Sequence, residues 1–429
     1  MSAAKGPETL AGRAGWLADR NLQRLLAALS EGGEEARIAG GAIRNALFGA
    51  AVTDIDIATT TLPEETTRRA KAAGFKPVPT GIEHGTVTVV AGNRPFEVTT
   101  LRADVETFGR HARVAFGRDW KADAERRDFT MNALYAEADG TIVDLIGGLA
   151  DIESRTLRFI GDPEARIRED FLRILRFFRF FAWYGSGRPD AEGLKACARL
   201  KDGLVNLSAE RVWSELKKLL SAPDPSRALL WMRQAGVLGM VLPEGEKWGI
   251  DAIHALTKAE ADLGWIPDPL LRLEAIVPPD AARMEELAKR LKLSKAEGGR
   301  LTKWALAERI KPSTTEVALA RALYRGDPKA EEDGLRLAFA SARSRAVDDD
   351  NALMIEAGNY ARLLSYLERW KRPVFPVNGD DLRGLGLKQG KNVGELLTEL
   401  ESEWINTGFA LDRDALMARA AKKIGNSGH

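Results

Sequence analysis

The sequence predicts an α+β protein: a small mixed-sheet head followed by an all-helical neck, body and tail. Three observations lead there. Between about Ala36 and Asp144, short segments rich in Val, Ile and Thr alternate with turn residues, as strands do. From about Pro163 onward such segments nearly vanish and apolar residues recur at helical spacing. At 429 residues the chain exceeds one ordinary core, so several domains are expected.

The elements follow in order. Strands are expected at Arg37-Ile-Ala, Asp54-Ile-Asp-Ile-Ala, Thr86-Val-Thr-Val-Val, Phe96-Glu-Val-Thr-Thr and Thr141-Ile-Val-Asp. Helical patterns lie between some of them, at Ile43–Phe48 and at Pro63–Ala73, where Pro63 suits a first helical position. The later helices include Ala209–Leu220, Ser226–Leu238, Ala281–Leu291 and Asn351–Trp370. Ser208-Ala-Glu opens the first of these with an acidic first turn, which the helix dipole favours. Arg372-Pro-Val-Phe-Pro breaks the helical body and marks a last subdomain.

Composition narrows the function classes. Apolar residues are 45% and charged residues 29%, which excludes a disordered or collagen-like chain. The net charge is +1, so any nucleic-acid site is a local basic patch. The single cysteine, Cys197, excludes a disulfide framework and multi-cysteine metal sites. The first residues hold no apolar core of a signal peptide, and no stretch approaches the ~20 apolar residues of a membrane span. A cytoplasmic protein without a membrane partner is expected.

The first candidate site joins Gly40-Gly41-Ala42-Ile43-Arg44 to Asp54-Ile55-Asp56. A glycine pair between strand and helix lets backbone N–H groups approach a phosphate, and Arg44 lies one turn further on. Residues i and i+2 of a strand share a face, so Asp54 and Asp56 point together. Two such carboxylates repel unless a cation sits between them, and magnesium, or manganese, suits hard oxygen donors. Glu97, in its own strand, is a candidate third acid. Taken singly, a glycine pair is also a tight turn, and Asp-x-Asp or Glu97 is also a solvated strand face.

Two further motifs add to it. In Arg126-Arg127-Asp128-Phe129-Thr-Met-Asn132-Ala, the arginines suit a triphosphate and Asp128 suits a ribose hydroxyl. Glu169-Asp170-Phe-Leu-Arg173-Ile-Leu-Arg176-Phe-Phe-Arg179 reads as one helix. Ile167, Phe171, Ile174 and Phe178 form one stripe, while the three arginines spread over the other side among Leu172 and Phe180. Such arginines need anionic partners, either a ligand or the acids Glu169 and Asp170 one turn away.

These motifs together resemble the class II tRNA nucleotidyltransferases, the CCA-adding enzymes, and their sisters the bacterial poly(A) polymerases. Asp144-Leu-Ile-Gly147-Gly148-Leu-Ala-Asp151 is similar to the family's head–neck hinge, and Ser208-Ala-Glu-Arg211-Val-Trp-Ser-Glu215 to its supporting neck helix. Residues 102–120, with Arg110-His-Ala-Arg113, resemble the loop beside the active site. Gly379-Asp-Asp381-Leu, Gly390-Lys-Asn-Val-Gly394 and Glu401-Ser-Glu-Trp404 resemble the tail. Asn45 departs from the aspartate usual in the family. No His-Asp pair occurs among His84, His111, His254 and His429, so the phosphohydrolase domain of some relatives is not expected.

The resemblance implies an extension at 1–35, a nucleotidyltransferase head at 36–156, a nucleobase-reading neck at 157–222, a body at 223–372 and a tRNA-holding tail at 373–429. It implies catalysis by Asp54, Asp56 and Glu97, with magnesium on Asp54 and Asp56. Gly40, Gly41, Arg44, Arg127, Asp128, Asp170, Arg173, Arg176 and Arg179 would bind CTP or ATP. The partner would be tRNA, extended by CCA with release of pyrophosphate. A-adding, CC-adding and poly(A)-adding relatives share these motifs, and a non-catalytic RNA-binding module is the alternative from another class.

Overall fold

The computed structural model describes residues 8–108, 111–245, 249–346, 351–387 and 391–426. It divides into two compact units, 1–246 and 247–429. That boundary falls inside the stretch 223–372 read above as one body.

The first unit opens with α1 (Arg20–Leu29), capped by Asp19, whose carboxylate accepts from the N–H groups of Asn21 and Leu22. Leu22, Leu25, Leu26 and Leu29 form its buried face. Upstream, Thr9 pairs with Thr141 at the sheet edge, so the residues read as an extension are packed into the head. Then follow β1 (Ala36–Ala39), α2 (Gly41–Leu47), β2 (Asp56–Thr59), α3 (Pro63–Ala72), β3 (Lys76–Gly81), β4 (Thr86–Ala91) and β5 (Arg94–Thr100). After them come β6 (Arg102–Phe108), β7 (His111–Phe116), α4 (Trp120–Glu125), β8 (Leu134–Ala136) and β9 (Ile142–Asp144).

Seven strands make one sheet in the order β3-β4-β5-β2-β1-β8-β9. Only β2 and β5 run parallel; the other neighbours are antiparallel. The register sets Asp56 beside Ala39 on one side and Glu97 on the other. The sheet's core is Ile38, Ile57, Val87, Val89, Phe96 and Val98, all essentially inaccessible. The segment 102–113, expected as a loop, is largely the two-stranded pair β6–β7. Gly109 and Arg110, on which part of that expectation fell, lie outside the described residues.

The rest of the first unit is helical: α5 (Gly148–Glu153), α6 (Pro163–Glu169), α7 (Leu172–Tyr184), α8 (Ala191–Leu200), α9 (Ala209–Leu220), α10 (Ser226–Gln234) and α11 (Val237–Val241). Two expected helices are each broken. The span 226–238 is interrupted at Gly236, whose φ of 69° is left-handed. Glu169–Arg179 is split at Asp170, which leaves helical geometry at φ −154° and ψ 108°. Its carboxylate instead accepts from the N–H of Leu172 and restarts the chain as α7. Phe129 of the head stacks among Phe159, Phe177 and Phe180, which ties head to neck.

The second unit is helical from Ile250–Leu263 to Arg413–Asn426. Its last part has its own core of Val377, Leu382, Leu400, Trp404, Ile405, Leu416 and Ala420. Two of the tail motifs are structural here: Asp381 closes a capping box with Asn378, and Trp404 is buried. Gly390 of a third lies outside the described residues. Among the described residues no helix is long and apolar enough to cross a membrane.

Candidate active site

The end of the central strands gathers the first motif. Gly40 follows β1 with φ 66° and its N–H bonds to the carbonyl of Leu134. A Cβ there would sit 3.1 Å from both Arg127 Nη1 and the Asn132 carbonyl, so a larger residue would crowd both. Asp54 and Asp56 are exposed while Ile55 and Ile57 are buried, the alternation expected of a strand. Glu97, also exposed, is the cross-strand neighbour of Asp56.

The charges confirm how close these acids lie. Desolvation raises the Asp56 pKa even though the residue reaches solvent; Glu97 and Asp54 raise it further, and Arg127 opposes them. Carboxylates that disfavour each other's ionisation are a donor set suited to a hard divalent cation. Among the described residues, no three His, Cys, Asp or Glu side chains already close into a metal cage. Asp56, with Glu97 across the strand and Asp54 two residues before it, could offer one or two carboxylates to magnesium or manganese.

Beside the glycine turn lies a cleft of about 450 Å³. Its lining includes Gly40, Gly41, Arg44, Arg127, Asp128, Asp170, Arg173 and Arg176, eight of the nine residues expected to bind nucleotide. Asn132, Leu172, Phe180 and Arg211 complete it. The ninth, Arg179, is not in the lining; it pairs with Glu215 at 2.7 Å and lies over Phe180.

Most of the cleft's charges are already paired. Asp128 accepts from its neighbour Phe129 N–H and from Asn132 Nδ2, both at 2.9 Å, and from Arg176. Burial alone would raise its pKa, but Arg176 and these hydrogen bonds outweigh that and hold the carboxyl low. Buried Asp123 takes Arg126 at 2.6 Å and Arg127 at 3.2 Å. Arg126 is thus turned away, and only Arg127 of the adjacent pair enters the lining. Arg166 reaches back to the carbonyls of Arg126 and Arg127, fixing α6 against that motif.

In the Glu169–Arg179 motif the Glu169 alternative for Arg173 is found, and Asp170 has a partner the sequence did not suggest. Asp170 and Arg173 make no ion pair with each other among the described residues. Arg173 Nη1 bonds to Glu169 and to the Arg166 carbonyl, while Asp170 Oδ2 accepts from Arg211 at 2.6 Å. Both side chains still line the cleft, each held by its own partner. Arg211 lies 41 residues from Asp170, on α9, and had been read only as part of a supporting helix; no local spacing signals such a contact. Asn45, Asp123 and Tyr184 were likewise absent from the expected site.

A family model described as the Poly A polymerase head domain matches residues 36–158. A second, the probable RNA and SrmB- binding site of polymerase A, matches 188–248. The CCA tRNA nucleotidyltransferase 1, mitochondrial, of Mus musculus is 34% identical over 408 residues, covering 94% of this chain and 90% of the relative. The chain belongs to the CCA-adding enzyme family of tRNA nucleotidyltransferases. The CCA-adding enzyme of Streptococcus pneumoniae serotype 19F (strain G54) is 30% identical, covering 93% of this chain and 96% of its own. The crystal structure of the Bacillus stearothermophilus CCA-adding enzyme in complex with CTP superposes with a TM-score of 0.71 at 25% identity, covering 95% and 98% of the two chains. The family thus spans both units of the fold.

Proposed function

We propose that this chain adds CCA to the 3′ ends of tRNA from CTP and ATP, without a nucleic-acid template, by metal-dependent nucleotidyl transfer that releases pyrophosphate. The observation that supports this best is the two-sided cleft. The glycine turn, Arg44 and Arg127 suit a triphosphate, while Asp170 and Arg173 suit a nucleobase edge. In this reading 36–156 is the catalytic head, 157–222 the neck that reads the base, and 373–429 the tail that holds tRNA.

Each residue then has a physical task. Backbone N–H groups at the start of α2 and the guanidinium of Arg127 receive phosphate oxygens. Asp54 and Asp56, with Glu97 beside them, would hold magnesium. When bound, the metal ion lowers the pKa of the attacking 3′-hydroxyl and offsets charge on the phosphoryl oxygens. Asp128 would accept from a ribose hydroxyl in exchange for one of the donors it now holds, Phe129 N–H, Asn132 Nδ2 or Arg176.

Base choice follows from hydrogen-bond chemistry. Cytosine and adenine each offer an exocyclic amino donor beside a ring-nitrogen acceptor. The Asp170 carboxylate takes the first and the Arg173 guanidinium serves the second. Guanine and uracil present an N–H donor beside a carbonyl, which would oppose like with like. A polar group left unpaired in such a site rejects by ~10⁴ or more. Arg211 holds the Asp170 carboxylate in place for this.

The test is the Asp54→Ala, Asp56→Ala double variant in a tRNA extension assay. Nucleotide incorporation is expected to fall by about 10³-fold or more while tRNA binding persists. Undiminished incorporation would overturn the assignment of the carboxylates.

A further inference from the structure

Five arginines line the cleft, and four of them face a carboxylate. Arg127 pairs with Asp123, Arg173 with Glu169, Arg176 with Asp128 and Arg211 with Asp170. Among the described residues Arg44 is the exception. It is the most buried of the five, with 8% of its surface exposed. Its hydrogen-bond acceptors are all neutral: Asn132 Oδ1 for Nη1, Asn45 Oδ1 for Nε and Nη2 at 3.2 and 2.9 Å, and Tyr184 Oη for Nη2 at 3.0 Å. The rings of Tyr184 and Phe180 flank the guanidinium at 4.3 and 5.0 Å.

We propose that Asn45 and Tyr184 are positioning residues, a neutral clamp that aims Arg44 and leaves its charge unneutralised for the substrate's phosphates. This rests on the reading of the cleft as a nucleoside-triphosphate site.

The orientation of each amide is fixed by its other end. Asn45 Nδ2 donates to the carbonyl of Ala51 at 3.0 Å, so Oδ1 must face Arg44. Asn132 Nδ2 donates to Asp128, which likewise turns its Oδ1 to Arg44. Asp128 is near enough to be felt, but this amide stands between, and Arg176 already takes its other oxygen. Tyr184 Oη also lies 3.1 Å from Asn45 Oδ1. Since Tyr184 ends α7 and Arg44 lies on α2, the clamp ties the phosphate side of the cleft to the helix bearing Arg173.

Burial presses the Arg44 pKa down, with Arg176 adding to that, and Tyr184 and Asp128 partly opposing. A buried cation with only neutral partners gains most from an arriving anion. The guanidinium lies against the turn, Nη2 being 3.7 Å from where a Gly41 Cβ would be. The net positive charge of the cleft therefore sits where the phosphates are expected. An aspartate at 45 would cancel that charge and oppose the Ala51 carbonyl.

The test uses inorganic tripolyphosphate as a competitive probe, alongside steady-state CTP incorporation on tRNA. Asn45→Asp is expected to weaken tripolyphosphate inhibition and raise the CTP KM, each by about tenfold, with kcat within about threefold of wild type. Tyr184→Phe keeps the ring and loses the hydroxyl, so its KM rises less, by about threefold. Asn45→Ser stays neutral but is too short to hold both Arg44 and the Ala51 carbonyl, so its KM is expected to rise by about threefold, well short of Asn45→Asp. Unchanged tripolyphosphate inhibition in Asn45→Asp, or an equal loss in Asn45→Ser, would overturn the clamp. Wild-type protein that ignores both CTP and tripolyphosphate would instead overturn the reading of the cleft itself.

Discussion

In the first unit five arginines line an open cleft, whereas in the second Arg272 and Arg300 are enclosed with acids. Arg272 bonds to Glu260 at 2.7 Å with both side chains almost wholly buried. Arg300 bridges Asp268 and Asp333 at 2.6 and 2.7 Å, with Glu274 3.9 Å away. There the acids are in excess, and burial followed by the Asp333 charge pushes the Glu274 pKa well up. In the cleft the arginines are in excess, and Asp128 is held low. Buried charge by itself therefore marks no site. A cavity with an unneutralised charge facing it does.

The two regions should break differently. Arg272→Ala strands Glu260 in the core and is expected to cost about 3–5 kcal/mol of stability, read as a fall in the denaturant midpoint. An unaltered midpoint would contradict the closed-pair account.

Asp170→Asn in the open cleft should instead move specificity. The amide can meet a carbonyl, so the preference for CTP and ATP over GTP and UTP is expected to fall by about 10²-fold, with the midpoint little changed. Competition between the four nucleotides on one tRNA primer reads this.

The smallest effect is expected at Glu331 in the second unit. Desolvation, then Glu308 and Asp327, raise its pKa from 4.5 to about 7. The unfolded chain releases that proton first, so stability is fullest below about pH 4.5 and declines as pH rises to about 7. Glu331→Gln is expected to remove that decline and raise Tm at pH 8 by a few degrees, about 2–4 °C per kcal/mol. A decline of unchanged steepness would place the titration elsewhere.

The features legible in the sequence were the local ones. The glycine turn and the exposure of Asp54 and Asp56 around buried Ile55 depend on spacings of one to three residues; both are found, although the strand starts at Asp56, two residues later than read. The helix break at Asp170 was hidden, because its flanking residues keep helical periodicity and only the side-chain bond to the Leu172 N–H reveals the cap. The strand Leu134–Ala136 is only three residues long, too short to show a period. Pairings across 41 and 48 residues, Asp170 with Arg211 and Asp128 with Arg176, leave no trace in any local window. Side-chain chemistry named the cleft's residues, while the fold decided which of their charges stay unpaired.

The most direct measurement is product length on one tRNA lacking its last three nucleotides, with magnesium and each nucleotide set. The account predicts two additions with CTP alone, one further addition when ATP is also present, then a stop, and nothing with GTP or UTP. A long ladder of A additions, or no extension of a tRNA that is nonetheless bound, would contradict it.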